Sequence, residues 1–134
     1  MSTSRPWIIP LKWILIATFL SSVLHYVDNI LFFAHYPEPN WLNPKLVDLF
    51  WFVMTPLAPL GFYVIKKGHH HIGAAILIVY GVCNILTLGH YNYAPINSIA
   101  MKIHLFIALE AIMGCILIGY ILLLYKNSLR IVAR

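Results

Sequence analysis

The residues able to do chemistry in this chain are few. His25 and Asp28 stand three apart, one helical turn, which would put an imidazole and a carboxylate on one face. Glu110 is an acid inside an apolar run, and His90 and His104 close and open the two runs around the segment Asn92 to Ser98. A carboxyl group in apolar surroundings, close to a second acid or a histidine, can supply an acid and a base for a proton shift. Asp28, Glu110 and His25 are therefore the candidate catalytic residues. Imidazole with carboxylate also suits a transition metal such as Zn, Fe or Cu, which makes His25, Asp28, His90 and His104 a candidate metal set. Whether the chain holds a cofactor is left open by the sequence, with the transition metal as the alternative. Signals for a serine nucleophile, a phosphate loop or a Cys-x-x-Cys site are absent from the sequence.

What must position these groups is a set of apolar helices. The 134 residues are 61% hydrophobic and 10% charged, with mean hydropathy +0.82, which lies outside the range of water-soluble domains. A spanning helix needs roughly 20 mostly apolar residues. Four stretches qualify, about 7–33, 44–64, 72–91 and 99–125. The expected fold is all-α, a polytopic integral membrane protein forming one up-down four-helix transmembrane bundle over 1–134, because short connections make neighbouring helices antiparallel. Membrane lipids are its surroundings, and association with itself or another membrane chain is open.

Charge sets the orientation. Arg5, Lys12, Lys66, Lys67, Lys126, Arg130 and Arg134 share one side of an alternating topology, and only Lys45 and Lys102 lie on the other. Both termini are expected in the cytoplasm. The formal charge of +5 is thereby read as an orientation signal rather than a nucleic-acid footprint. The first run follows Arg5 and Lys12 but is too long for a signal peptide and is expected to be retained.

Polar residues recur on matched faces. The first helix carries Thr18, Ser21, Ser22, His25, Asp28 and Asn29 at spacings of three and four. The second offers Asp48 and Thr55, the third Tyr80, Asn84, Thr87 and Tyr91, and the fourth His104 and Glu110. At a rise of ~1.5 Å per residue, Asp28 and His25 lie roughly 6 and 10 Å below the outer surface and Glu110 about 12 Å below it. Ionisable groups in a bilayer cost ~2.5 to 3.5 kcal/mol each on insertion scales and mark functional sites by default. The expectation is a pocket near the outer face for a lipophilic or cationic small molecule, with Asp48, Asn84, Tyr80 and Trp51 as candidate ligand-binding residues. Two alternatives stand beside it: the metal site, and a non-enzymatic subunit or assembly factor of a membrane complex whose polar residues pair with another membrane chain or a bound pigment. A plainer structural reading makes Asp28 with His25, and Glu110 with Asn84 or Tyr80, hydrogen-bonded clamps within the bundle. The aromatic residues have a plain alternative role too, as packing and interface anchors.

The order of features resembles the emopamil-binding, sigma-2-receptor (EXPERA-type) group of four-helix membrane proteins. The resemblance is carried by Asp28 late in the first helix, the loop Pro39 to Trp41, Asp48 and Pro56 in the second, and Lys66 to Gly68 after it. It implies a sterol- or amine-accepting pocket within the bundle, with Asp28 and Asp48 matching the family's acids.

Overall fold

The computed structural model describes residues 6–132, with side chains as far as 126. Arg5 and Arg134 of the basic set lie outside the described residues, as does the side chain of Arg130. The chain is all-helical; no strand occurs among the described residues. Four helices are long and apolar enough to cross a membrane, Ile8–Leu31, Pro44–Lys66, His70–Asn92 and Met101–Lys126.

The first, α1 (Ile8–Leu31), tolerates Pro10 because it falls in the first turn, where backbone N–H groups have no intrahelical acceptor. Its buried face runs Leu11, Leu15, Thr18, Ser21, Ser22, His25, Asp28, Asn29, while Phe19, Leu20, Leu24, Val27 and Leu31 lie outside. The expected polar stripe is thus the packed face, and the outer face is apolar. Thr18 and Ser21 satisfy their hydroxyls on the helix itself, donating to the carbonyls of Ile14 and Thr18 at 2.8 Å each.

The second expected helix is two. Asn43 caps α2 (Pro44–Met54), its side chain accepting from the Leu46 N–H at 3.2 Å, with Pro44 as the first helical residue. Pro56 has no N–H to give, so the helix ends there and resumes as α3 (Leu57–Lys66). Gly68, at φ +95°, reverses the chain: its N–H donates to Ile65 and that of His69 to Val64, a Schellman end that only glycine enters without strain.

Two glycine pairs let the remaining helices close. A Cβ on Gly73 of α4 (His70–Ile85) would stand 2.7 Å from the Gly61 carbonyl oxygen of α3. One on Gly114 of α5 (Met101–Val132) would stand 2.7 Å from that of Gly81. Small residues at these crossings let the backbones approach closely and gain van der Waals contact. After Ile85 the chain tightens into a 3₁₀ segment, Leu86–Asn92, where the sequence pattern predicts continuous α-helix to Tyr91. The last helix runs past the expected end at Tyr125 to Val132.

The core has two apolar parts. One gathers Leu11, Leu15, Met54, Leu77, Tyr80 and Leu117; the other Tyr36, Ile99, Ile103 and Ile107. Along α5 Glu110 falls between Ile107 and Leu117, and along α1 His25 lies beyond Leu15, so the polar layer sits between them.

Candidate functional site: a cavity with a histidine and acid end

His25 Nδ1 is hydrogen-bonded to Glu110 Oε2, joining α1 to α5. Both residues are buried, 6% and 4% exposed. The His25 ring stacks on Tyr36 at 5.6 Å between centroids and meets the edge of His90 at 5.3 Å. His90 Nδ1 lies 3.3 Å from the Pro37 carbonyl oxygen and 3.4 Å from Glu38 Oε1. The same Glu38 oxygen accepts from the Asn29 amide at 2.7 Å. Burial pushes the Glu38 carboxyl above its ordinary range, against a smaller opposing pull from Asn29 and His25.

These groups form the polar end of a cavity of about 700 Å³. Its walls come from α1 (Ser22, His25, Tyr26, Asn29), the loop before α2 (Glu38, Pro39, Trp41, Leu42), α2 (Leu46, Phe50, Trp51, Met54) and the end of the third span (Cys83, Leu86, Gly89, His90), with Glu110 from α5. The volume is in the range of small-molecule sites, which are mostly apolar with a few placed polar groups. Trp51 donates from Nε1 to Ser22 Oγ at 2.9 Å and stacks on Tyr26 at 4.5 Å, which fixes one wall.

Of the candidate residues, the structure brings His25, Glu110, His90 and Trp51 to this cavity. It does not bring Asp28, Asp48, Tyr80, Asn84 or His104 there. Asp28 is held by the protein, Oδ2 accepting from the Tyr36 hydroxyl at 2.8 Å and Oδ1 from Lys102 at 2.6 Å. Burial and the Asp28 carboxylate both raise the Tyr36 hydroxyl. Asp48 accepts from the Tyr26 hydroxyl at 2.5 Å, behind the Trp51 stack. Asn84 turns back to donate to the Tyr80 carbonyl at 2.8 Å.

The candidate metal ligands are drawn to separate partners. His104 stacks on Tyr91, accepts from its hydroxyl at Nδ1 (2.9 Å) and donates from Nε2 to the Ile96 carbonyl (3.1 Å). With His25 on Glu110 and Asp28 on Lys102, no group of three or more His, Cys, Asp or Glu among the described residues is placed to hold a metal ion. Equal depth does not bring them together, because depth leaves open the direction in which each side chain leaves its helix. At the other end of the chain's basic set, His71 Nδ1 pairs with the Tyr125 hydroxyl and Trp7 meets the edge of His70.

Four residues of the site and its surround were not singled out as site residues by sequence reasoning: Tyr26, Tyr36, Glu38 and Lys102. The signal for Glu38 was its setting, an acid between two prolines in a short loop, which restricts where the loop can carry it.

No protein-family model, curated protein or solved structure matches this chain.

Proposed function

We propose that the protein is an integral membrane protein, an up-down bundle with both termini in the cytoplasm, that binds a lipophilic small molecule in the cavity between α1, α2 and the segment Leu86–Asn92. The observation that carries this reading is the pairing of a large apolar cavity with four converging ionisable groups at one end, His25, Glu110, Glu38 and His90. Ionisable groups inside a helical membrane bundle are costly to bury even when paired and mark functional sites by default, and the collection of these two pairs at the end of an open cavity supports a ligand-binding role.

The same end holds an acid, Glu38, and a histidine–carboxylate pair, the equipment for moving a proton between two atoms of a bound molecule. This keeps the proton-shift (isomerase-like) chemistry in the proposal and places it on His25, Glu110 and Glu38 rather than on Asp28. Asp28 and Asp48, which match the family's acids, serve here as partners of Lys102 and Tyr26.

The test is to purify the protein in mild detergent, extract it with organic solvent and identify what co-purifies by mass spectrometry, alongside metal content. A lipophilic compound at about one per chain, retained after detergent exchange, is the expected result. Bulk membrane lipid alone, with no compound enriched over a control membrane protein, would count against a specific pocket.

A further inference from the structure

We infer that a second groove, between α1 and α3, holds an acyl chain of an anionic phospholipid whose phosphate is met by Lys12 and Lys66. The lipid belongs to the leaflet at the N-terminal end of α1, the cytoplasmic one in the orientation proposed above. This rests on the membrane reading and not on a ligand in the first cavity, with which the groove shares no lining residue.

The groove encloses about 580 Å³. Lys12, Ile16 and Phe19 form one wall, at spacings of four and three along α1. From Lys12 to Phe19 it extends ~10 Å along the helix axis. Pro56, Pro59 and Phe62 belong to the opposite wall, where the compact prolines after the break in the second span leave little bulk across from α1. Apart from Lys12 and Thr55 the lining is apolar.

The two ends of the groove differ. Tyr26 donates to Asp48 and the Trp51 indole to Ser22, so later residues of α1 meet earlier residues of α2. Continued along the helices, that antiparallel register sets Phe19 level with Thr55 and Lys12 level with Phe62. Lys66 Nζ lies 6.0 Å from the centroid of the Phe62 ring, which brings the second lysine to the same end as Lys12. Both lysines are exposed. The ion pairs among the described residues engage His25, His90 and Lys102, and neither Lys12 nor Lys66 has a side-chain carboxylate within ion-pair distance.

Two cations without a carboxylate at the surface end of an apolar slot complement a phosphate carried above an acyl chain. Basic pockets between membrane helices on the cytoplasmic side bind anionic headgroups on this principle. A partner helix laid in the groove would cover both charges with apolar side chains unless it brought an acid to that level. An anionic phospholipid supplies chain and counter-charge in one molecule.

The experiment reconstitutes the full chain in phosphatidylcholine vesicles with a trace of a probe lipid bearing a diazirine on one acyl chain, either phosphatidylglycerol or phosphatidylcholine at the same mole fraction. After photolysis, labelling of peptides carrying Ile16, Phe19, Pro59 or Phe62 is measured by mass spectrometry relative to labelling of the lipid-facing side of α5. A lysine beside an anionic lipid contributes about fivefold, so two predict that phosphatidylglycerol labels the groove at least about tenfold more than phosphatidylcholine. Lys12→Gln/Lys66→Gln should bring the two probes to equality, and Lys12→Arg should keep the preference. Lys67→Gln should also keep it, because the Lys67 ammonium lies over Tyr63, which does not line the groove.

Equal labelling of the wild type by both probes would overturn the inference and make the groove ordinary lipid-facing surface. A preference lost as fully in Lys67→Gln as in the paired variant would overturn it in favour of diffuse surface charge. Absence of groove labelling by either probe would do so as well, and disulfide dimerisation through Phe19→Cys, with Cys83 and Cys115 replaced, would then give the groove to a second copy of the chain. Vesicles with the same lipid in both leaflets make the result independent of orientation, and all of these failures leave the ligand reading of the first cavity standing.

Discussion

Lys102 Nζ stands 2.6 Å from Asp28 Oδ1 and 3.6 Å from the centroid of the Phe32 ring, so one lysine ties α5 to both the last turn of α1 and the residue that ends it. With the Tyr36 hydroxyl on its other oxygen, Asp28 is a structural junction. The Lys102 side chain is 47% exposed, and solvent screening keeps the pair modest. Asp28→Asn should lower stability by on the order of 1 kcal/mol and leave ligand retention unchanged. Thermal unfolding and retention measured on the same preparation check it. Loss of retention at unchanged melting temperature would return Asp28 to the binding site.

His25 and Glu110 should behave as a unit. Removing one partner, as in Glu110→Leu, leaves His25 Nδ1 buried and unpaired, at an expected loss of about 1–3 kcal/mol. The double change His25→Leu/Glu110→Leu should recover part of that loss, giving a non-additive double-mutant cycle. Additive effects in detergent-based unfolding would mean the two side chains do not interact.

The Glu38 carboxyl titrates above its ordinary value of 4.5 because it is buried. A raised carboxyl pKa in the folded state means that state binds its proton more tightly than the unfolded chain. The resulting stabilisation is complete below about pH 4.5 and is lost as pH rises through the folded value. Glu38→Gln, which keeps an acceptor for Asn29, should flatten this part of the profile and raise the melting temperature at neutral pH relative to wild type. A wild-type melting temperature that climbs steadily from acid to neutral pH, unaltered by Glu38→Gln, would contradict it.

The sequence was most informative where periodicity speaks. Spacings of three and four put Thr18, Ser21, Ser22, His25, Asp28 and Asn29 on one face of α1, and that face is the buried one. Pro56 ends α2 and Gly68 turns the chain through backbone chemistry alone, the first by its missing N–H and the second by its positive φ. Partner choice was not legible in the same way. Asp28 meets Lys102 and His104 meets Tyr91, pairings that depend on how the helices rotate against each other.

His90 illustrates a second limit. A 3₁₀ segment turns about 120° per residue against about 100° for an α-helix, so from Leu86 to His90 the two differ by about 80°. That is enough to move His90 from beside the Tyr80, Asn84 and Thr87 face to the edge of His25. Glu38 and Tyr36 lie before α2 in loop and 3₁₀ structure too short to carry a period.

Orientation can be checked independently of any ligand. With Cys83 and Cys115 replaced by alanine, single cysteines at Asn40 and Lys67 should label from opposite sides, the first from outside the cell and the second only from within. Lys67 is preferred to Gly68, whose φ of +95° a side chain enters only with strain. The reverse pattern would invert the proposed topology.

The central claim is that the cavity holds a ligand, and Gly89 offers the most direct test. Gly89 lines the cavity, its φ is negative, and a Cβ built on it meets no heavy atom within 4 Å. Gly89→Phe therefore adds bulk without a backbone clash. The measurement is retention of a lipophilic compound per chain after detergent exchange, wild type against Gly89→Phe, with melting temperature recorded for both. The account predicts that the variant folds with equal or higher stability in ligand-free protein and that retention falls at least about tenfold, as a blocked site requires. Equal retention by a well-folded variant would contradict it.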